Sequence, residues 1–382
     1  MPLKGIKVLE MAGLAPGPFC GMILADFGAT VIKIERIGTS IVSDCLSNGK
    51  KSISLDLKKE KGIEIVKKLS MESDVIIDPF RKGVMEKLKI GPNDLMSFNK
   101  KLIYARLTGY GQNGPFADCA GHDINYLSLS GLLSLIGRYN EKPIPPVNLV
   151  SDFGGGGLMC ALGIILSLFE RTKTEMGQII DANMVEGTAY LGSWIFRSQN
   201  VPTLWGEPRG KNVLDTGAHF YNTYETKDGQ YMSIGAIEPK FYAILLEKLN
   251  LNENDCPHFY DFEKGKEKFG KIFKEKTQKE WCEIFDGSDA CCTPVLTLET
   301  VKNHQHNKAR GTFFHNNNDT LIPNPAPKLS RTPGISSVIR NAIPEQGEHS
   351  IEILSQLGYN SKEINEFISS GIVHSAKKPS KL

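Results

Sequence analysis

The sequence is poor in several features that would place a chain quickly. It has almost no excess of charge: 45 basic against 43 acidic side chains leave a formal +2. Without a general positive field, nucleic acid and anionic membrane surfaces are not expected partners. An anionic ligand would have to be held by a few placed Arg, Lys and backbone N–H groups. The eight cysteines (Cys20, Cys45, Cys119, Cys160, Cys256, Cys282, Cys291 and Cys292) include no pair at the spacing of a zinc knuckle or redox motif, so they read as reduced thiols and no metal is expected. No basic-then-apolar signal region opens the chain. The longest apolar run, Leu158 to Phe169, is short for a bilayer, so neither secretion nor membrane insertion is expected. A GxSxG elbow is missing, which argues against a serine hydrolase. There are no internal repeats.

What is present is ordinary globular composition, 40% hydrophobic and 23% charged over 382 residues, enough for two or three compact units. The first half alternates β-branched runs with helix-period segments. Strands are expected at Lys7–Glu10, Thr30–Glu35, Ser52–Leu57, Asp74–Ile77, Leu102–Leu107 and Gln178–Asp181, with helices after Gly13–Pro18 and over Lys59–Leu69, Leu158–Arg171 and Met184–Trp194. That alternation predicts an α/β fold with a parallel sheet. A smaller α/β region is expected from about Phe220 to Leu298, between two irregular, Pro-containing stretches.

The turn after the first strand carries Gly13, Gly17 and Gly21, and Glu35 closes the second strand. A dinucleotide site would look similar, but glycines every four residues are not the GxGxxG pattern that admits a pyrophosphate. Close approach of packed backbone explains them more simply.

Two segments carry the chemical signal. One is Gly121-His122-Asp123-Ile124-Asn125-Tyr126; the other runs Asn148-Leu149-Val150-Ser151-Asp152-Phe153 into a glycine run, Gly154 to Gly157, read as a loop opening a helix. Amides at such a helix start can stabilise negative charge on a bound oxygen. Taken alone, Asp152 could equally be a helix cap, and His122 a satisfied loop histidine.

These segments join Leu14-Ala15-Pro16-Gly17-Pro18, Gly49-Lys50-Lys51-Ser52, Arg81-Lys82-Gly83-Val84 and Asp181-Ala182-Asn183-Met184-Val185-Glu186-Gly187. With that set the chain resembles the class III CoA-transferase superfamily from Met1 to about Tyr359, and within it the racemases of 2-methylacyl-CoA thioesters. The resemblance implies that His122 and Asp152 face the substrate α-carbon from opposite sides, one removing its proton and the other returning it. Such two-base transfer needs one group protonated and the other free. The enolate oxygen is expected near the Asp152 N–H and the glycine run. Asn148 and Glu238 match positions that orient the histidine. The CoA portion is expected at Arg36, at Leu55, Asp56, Leu57 and Lys58, at Arg81 and Lys87, and along Gly121, His122, Asp123, Ile124, Asn125 and Tyr126. Against each charged candidate stands the plain reading of a solvated side chain. No cofactor is implied beyond the CoA of the substrate.

The family fold implies a Rossmann-like large domain built from both chain ends (1–195 and 334–374), a small domain (220–303), linkers at 196–219 and 304–333, and an interlocked homodimer. His219 departs from the pattern, since relatives often have Pro there. The alternative within the superfamily is a CoA-transferase in which Asp152 attacks the thioester as nucleophile; a second base at His122 favours the racemase. A silent acyl-CoA-binding protein would need neither residue. Branched fatty acids and bile-acid intermediates bound for β-oxidation are the expected substrates.

The tail 375–382 ends in Ser380-Lys381-Leu382, the tripeptide read by the peroxisomal import receptor. Peroxisomal residence is expected, with mitochondrial residence, also known in the family, left open. Deleting Leu382 should leave a fluorescent fusion in the cytosol; unchanged import would remove the tripeptide from that role.

Overall fold

In the computed structural model, which describes residues 1–39, 44–340 and 342–376, the β-branched runs form six parallel strands. These are β1 (Lys7–Met11), β2 (Thr30–Arg36), β3 (Lys51–Leu55), β4 (Val75–Asp78), β5 (Ile103–Thr108) and β6 (Ile179–Asn183). The sheet runs β3-β2-β1-β4-β5-β6, and a short antiparallel strand, Val373–His374, covers the outer edge of β3. β4 and β5 are buried along their whole length, as expected where helices cover both faces of a parallel sheet. The order reverses at β1, between β2 and β4. In doubly wound sheets ligands bind outside the carboxyl ends of the strands at such a switch point. The tail tripeptide lies outside the described residues.

The chain divides into two compact units. One joins 1–130, 147–191 and 313–382; the other joins 131–146 and 192–312. Nothing in the sequence marks 131–146 as belonging with the later region. The second unit has an antiparallel sheet of β7 (Tyr221–Glu225), β8 (Tyr231–Gly235) and β9 (Cys292–Pro294) over an aromatic core that includes Phe220, Phe269, Phe273 and Trp281. His219 is fully buried there, with Nε2 2.8 Å from the Tyr242 hydroxyl. Burial pushes its pKa down to about 4, so the imidazole replaces an apolar ring as a neutral group.

The first helix, α1 (Pro16–Asp26), explains one of the spaced glycines. Lys50 Nζ donates to Glu10 Oε1 at 2.9 Å, to Oε2 at 2.7 Å and to the Pro18 carbonyl at 2.9 Å, and the pair has no exposed side-chain surface. A Cβ on Gly21 would stand 1.7 Å from Glu10 Oε2, so the helix meets this ion pair only through a glycine. Glu35, the acid a dinucleotide site would have needed, instead accepts from Ser52 and pairs with Lys33 at 3.0 Å.

The glycine run is not a loop. Leu149–Leu158 is a wide π-helical segment that continues as α4 (Met159–Thr174), after α2 (Glu60–Met71) and α3 (Asp123–Leu129). It packs against α5 (Met184–Leu191) at backbone distance: a Cβ on Gly187 would fall 1.9 Å from the Gly155 carbonyl, and one on Gly155 2.4 Å from Thr188 Oγ1. The combined helix, Leu149–Thr174, is long and apolar enough to span a membrane, which the shorter apolar run did not suggest. One side, Cys160, Ala161 and Ile164, lies in the sheet core, while Leu158, Leu162, Ile165, Leu166 and Phe169 are 43% to 62% exposed.

Replacing Lys50 by Met should cost about 3–5 kcal/mol, because Glu10 is left buried and unpaired. Glu10→Met with Lys50→Met should recover most of it. Urea unfolding of the three proteins checks this; equal losses in single and double variants would refute it.

Candidate active site

Residues from four strand ends meet in a cavity of about 400 Å³. Gly13 and Leu14 follow β1, Pro79, Phe80 and Arg81 follow β4, Thr108 to Tyr110 end β5, and Met184 follows β6. Gly121, His122, Tyr126 and Asp152 complete the wall. The two candidate bases, from segments thirty residues apart in sequence, therefore share one cavity at the switch point of the sheet.

The side chain of Asp123 brings them together. It is 3% exposed, and its Oδ2 accepts from the backbone N–H groups of both Ser151 and Asp152 at 2.7 Å. His122, the residue before it, caps α3, with its own N–H donating to Asn125 Oδ1 at 3.0 Å. One carboxylate thus fixes the start of the π-helical segment against the start of α3. Two short bonds to a charged acceptor are the strong kind.

This corrects the expected placement of the enolate oxygen. The Asp152 N–H is already taken by Asp123, and Gly154 to Gly157 lie inside the helix, where amides are spent on helical bonds. Among the described residues, no acceptor meets the Asp123 and Ile124 N–H groups in the first turn of α3. These are the free donors beside His122.

Asn148 Nδ2 donates to Asp152 Oδ2 at 3.2 Å, one turn along the same helix. Burial raises the Asp152 carboxyl above its ordinary range. Asn148 and nearby His122 lower it, and Asp123 adds to the rise. Tyr126 donates to the Gly121 carbonyl, stands edge-on to Tyr110 with centroids 5.0 Å apart, and is pushed up to about 12 by burial.

Other candidates are distributed along the same edge of the sheet. Arg81 lines the cavity and reaches the Asp118 carbonyl at 3.4 Å. Arg36 ends β2 with its side chain exposed, and Lys58 is exposed just past β3. Leu55 is fully buried and registered between Arg36 and Val373, so it offers no surface. The Asp56 N–H is bound to the Ile372 carbonyl, and Asp56 Oδ1 accepts from the Lys58 N–H at 3.0 Å. Leu57 packs on the core. Lys87 ends a short exposed helix and does not line the cavity; Ile124 and Asn125 are exposed on α3. Glu238 lies in the other unit, exposed at the start of Pro239–Lys248. Phe80, Tyr110 and Met184 also line the cavity, and sequence reasoning named none of them as a site residue.

The first unit is thus a doubly wound α/β sheet with an imidazole and a carboxyl lining one cavity at its switch point. Residues 3–350 match CoA-transferase family III, and the chain belongs to that family. It is 53% identical over 380 residues to the alpha-methylacyl-CoA racemase of Mus musculus, and 53% identical to that of Homo sapiens, with 99% of each chain covered. A CAIB/BAIF family protein from Brucella suis shares the fold at 24% identity and a TM-score of 0.77, covering 94% of this chain and 99% of its own.

Removing the Asn148 amide should raise the Asp152 pKa further, since its donation favours the charged carboxylate. Carbon-13 NMR titration of Asp152 should show a midpoint above the ordinary carboxyl range in the parent and a higher one in Asn148→Ala. A fall in the variant would contradict the contact.

Proposed function

We propose that the chain interconverts (2R)- and (2S)-2-methylacyl-CoA thioesters by 1,1-proton transfer. The observation that carries this is His122 and Asp152 in one cavity, joined through Asp123. One base takes the α-proton, the electron pair moves onto the thioester oxygen, and the other base returns a proton on the opposite face. A carboxyl held above its ordinary range by burial is suited to donating as well as accepting. The free N–H groups at the start of α3 are the donors available to the enolate oxygen. Identity to two proteins named as racemases supports the same reading.

A 400 Å³ cavity takes the acyl end and its thioester, within the usual range for small ligands, while a CoA nucleotide would extend outside it. Arg36 and Lys58, at the carboxyl ends of β2 and β3, are our assigned contacts for that end. No step calls for a metal or redox group. The exposed stripe on Leu149–Thr174 recurs at helical spacing opposite a buried side, and a helix apolar all round needs cover on both sides. We assign that cover to a second copy in an interlocked dimer, which also supplies Glu238 to His122. We place the activity in β-oxidation of branched fatty acids and bile-acid intermediates.

One epimer of a 2-methylacyl-CoA incubated in D₂O should take up α-deuterium and converge on both epimers. His122→Ala and Asp152→Ala should each slow this by on the order of 10²–10⁴-fold. No exchange, with CoA passing to an added free acid and only Asp152 required, would establish the transferase instead.

A further inference from the structure

The carboxyl end of β2 is held by a residue from the far end of the chain. Arg36 to Thr39 form a turn, with the Thr39 N–H donating to the Arg36 carbonyl at 3.3 Å and Gly38 at φ +73°. The side chain of Gln346, 310 positions after Arg36, spans this turn. Its Nε2 donates to the carbonyls of Arg36 and Thr39, both at 2.8 Å, and its Oε1 accepts from the Gly38 N–H at 3.2 Å. One amide therefore satisfies three backbone groups of a four-residue turn.

Gln346 is itself pinned. The Gly347 N–H donates to Ser52 Oγ at 2.8 Å, the His349 N–H donates to the Ser52 carbonyl at 2.9 Å, and Ser52 donates to Glu35. Gly347 sits at φ +73°, where a Cβ would come within 2.4 Å of the His374 carbonyl, so no other residue fits that position without strain. The anchor runs from β3 through Gly347 to Gln346 and on to the base of Arg36. The Arg36 side chain is exposed, and among the described residues the Gln346 amide bonds to the turn that carries it.

We propose that Gln346 is a positioning residue for the phosphate-bearing end of the CoA ligand: it holds the Arg36–Thr39 turn so that the Arg36 guanidinium is presented along the carboxyl edge of the sheet. This rests on the reading of Arg36 as a contact for that end. A turn without the clamp must be ordered when ligand binds, and the cost falls on recognition of the nucleotide end alone. A simple structural seam would lower stability and leave ligand recognition unchanged.

The test uses the full chain as Gln346→Met, which keeps length and loses the amide, and Gln346→Glu, which keeps an acceptor for Gly38 and loses both donations. Arg36→Ala serves as the reference. Calorimetry with CoA and with pantetheine, which lacks the nucleotide end, gives a readout independent of the reaction catalysed. Thermal melts confirm folding. Both Gln346 variants should weaken CoA binding about tenfold, the loss of one well-placed charged contact, with pantetheine binding unchanged. In turnover, KM for the CoA thioester should rise with kcat within about twofold. If Arg36→Ala separates CoA from pantetheine and the Gln346 variants do not, the positioning role is overturned and Arg36 stands. If Arg36→Ala does not separate them, the reading of Arg36 fails and the role of Gln346 fails with it.

Discussion

Two hydrogen bonds from one buried carboxylate organise the candidate active site. Asp123 accepts from Ser151 and Asp152 through a single oxygen, and bonds of this charged kind contribute roughly 1.5–3 kcal/mol each. Because Asp123 follows His122 and its acceptor binds the residue bearing the second base, imidazole and carboxyl cannot drift apart without breaking both bonds. The same contact affects the chemistry. Amides at a helix start would otherwise be open to a bound anion; Asp123 occupies two of them and adds a like charge near Asp152. Asp123 thus fixes the position of Asp152 and adds to a rise in its pKa that burial chiefly causes.

The glycine run serves this arrangement. Helix interiors lose about 1 kcal/mol for each glycine in place of alanine, and four in succession would be a poor choice if helix stability alone mattered. What they permit is backbone-to-backbone approach between the π-helical segment and α5, with Gly155 and Gly187 facing each other. Wide helical turns of this kind are frequent at functional sites. Here the widened turn carries Asp152 into the cavity wall while Asn148 reaches it from one turn earlier.

Much of this was readable in the sequence. The six parallel strands followed from β-branched runs separated by helix-period segments, with ends shifted by a residue or two, and β1 and β2 with their connecting helix emerged as expected. His122 and Asp152 could be named because their flanking motifs are distinctive. The helix start at Asn148 was not readable, because glycine is locally a loop former and only the neighbouring α5 makes a helix there worthwhile. Asp123 sat in a string of polar residues, and nothing local showed that its side chain crosses to Ser151. Leu55 was legible as a strand residue, but that both its neighbours would be strands depended on Val373, far along the chain. Gln346 lay within the stretch assigned to the large domain, and nothing local showed that its amide crosses to the turn after β2.

The edge of the large sheet has a consequence for how the protein is made. β3 is completed by Val373–His374, and its Ser52 is bonded by Gly347 and His349, so this side of the fold is assembled from residues some three hundred positions apart. A ribosome releases those partners some three hundred residues after β3. Until then the nascent unit carries β3 as an open, unpaired margin, the kind of edge that invites pairing with other chains. Contacts of such long separation also slow folding. The exposure of that edge during synthesis therefore follows from the topology and not from the stability of the finished fold.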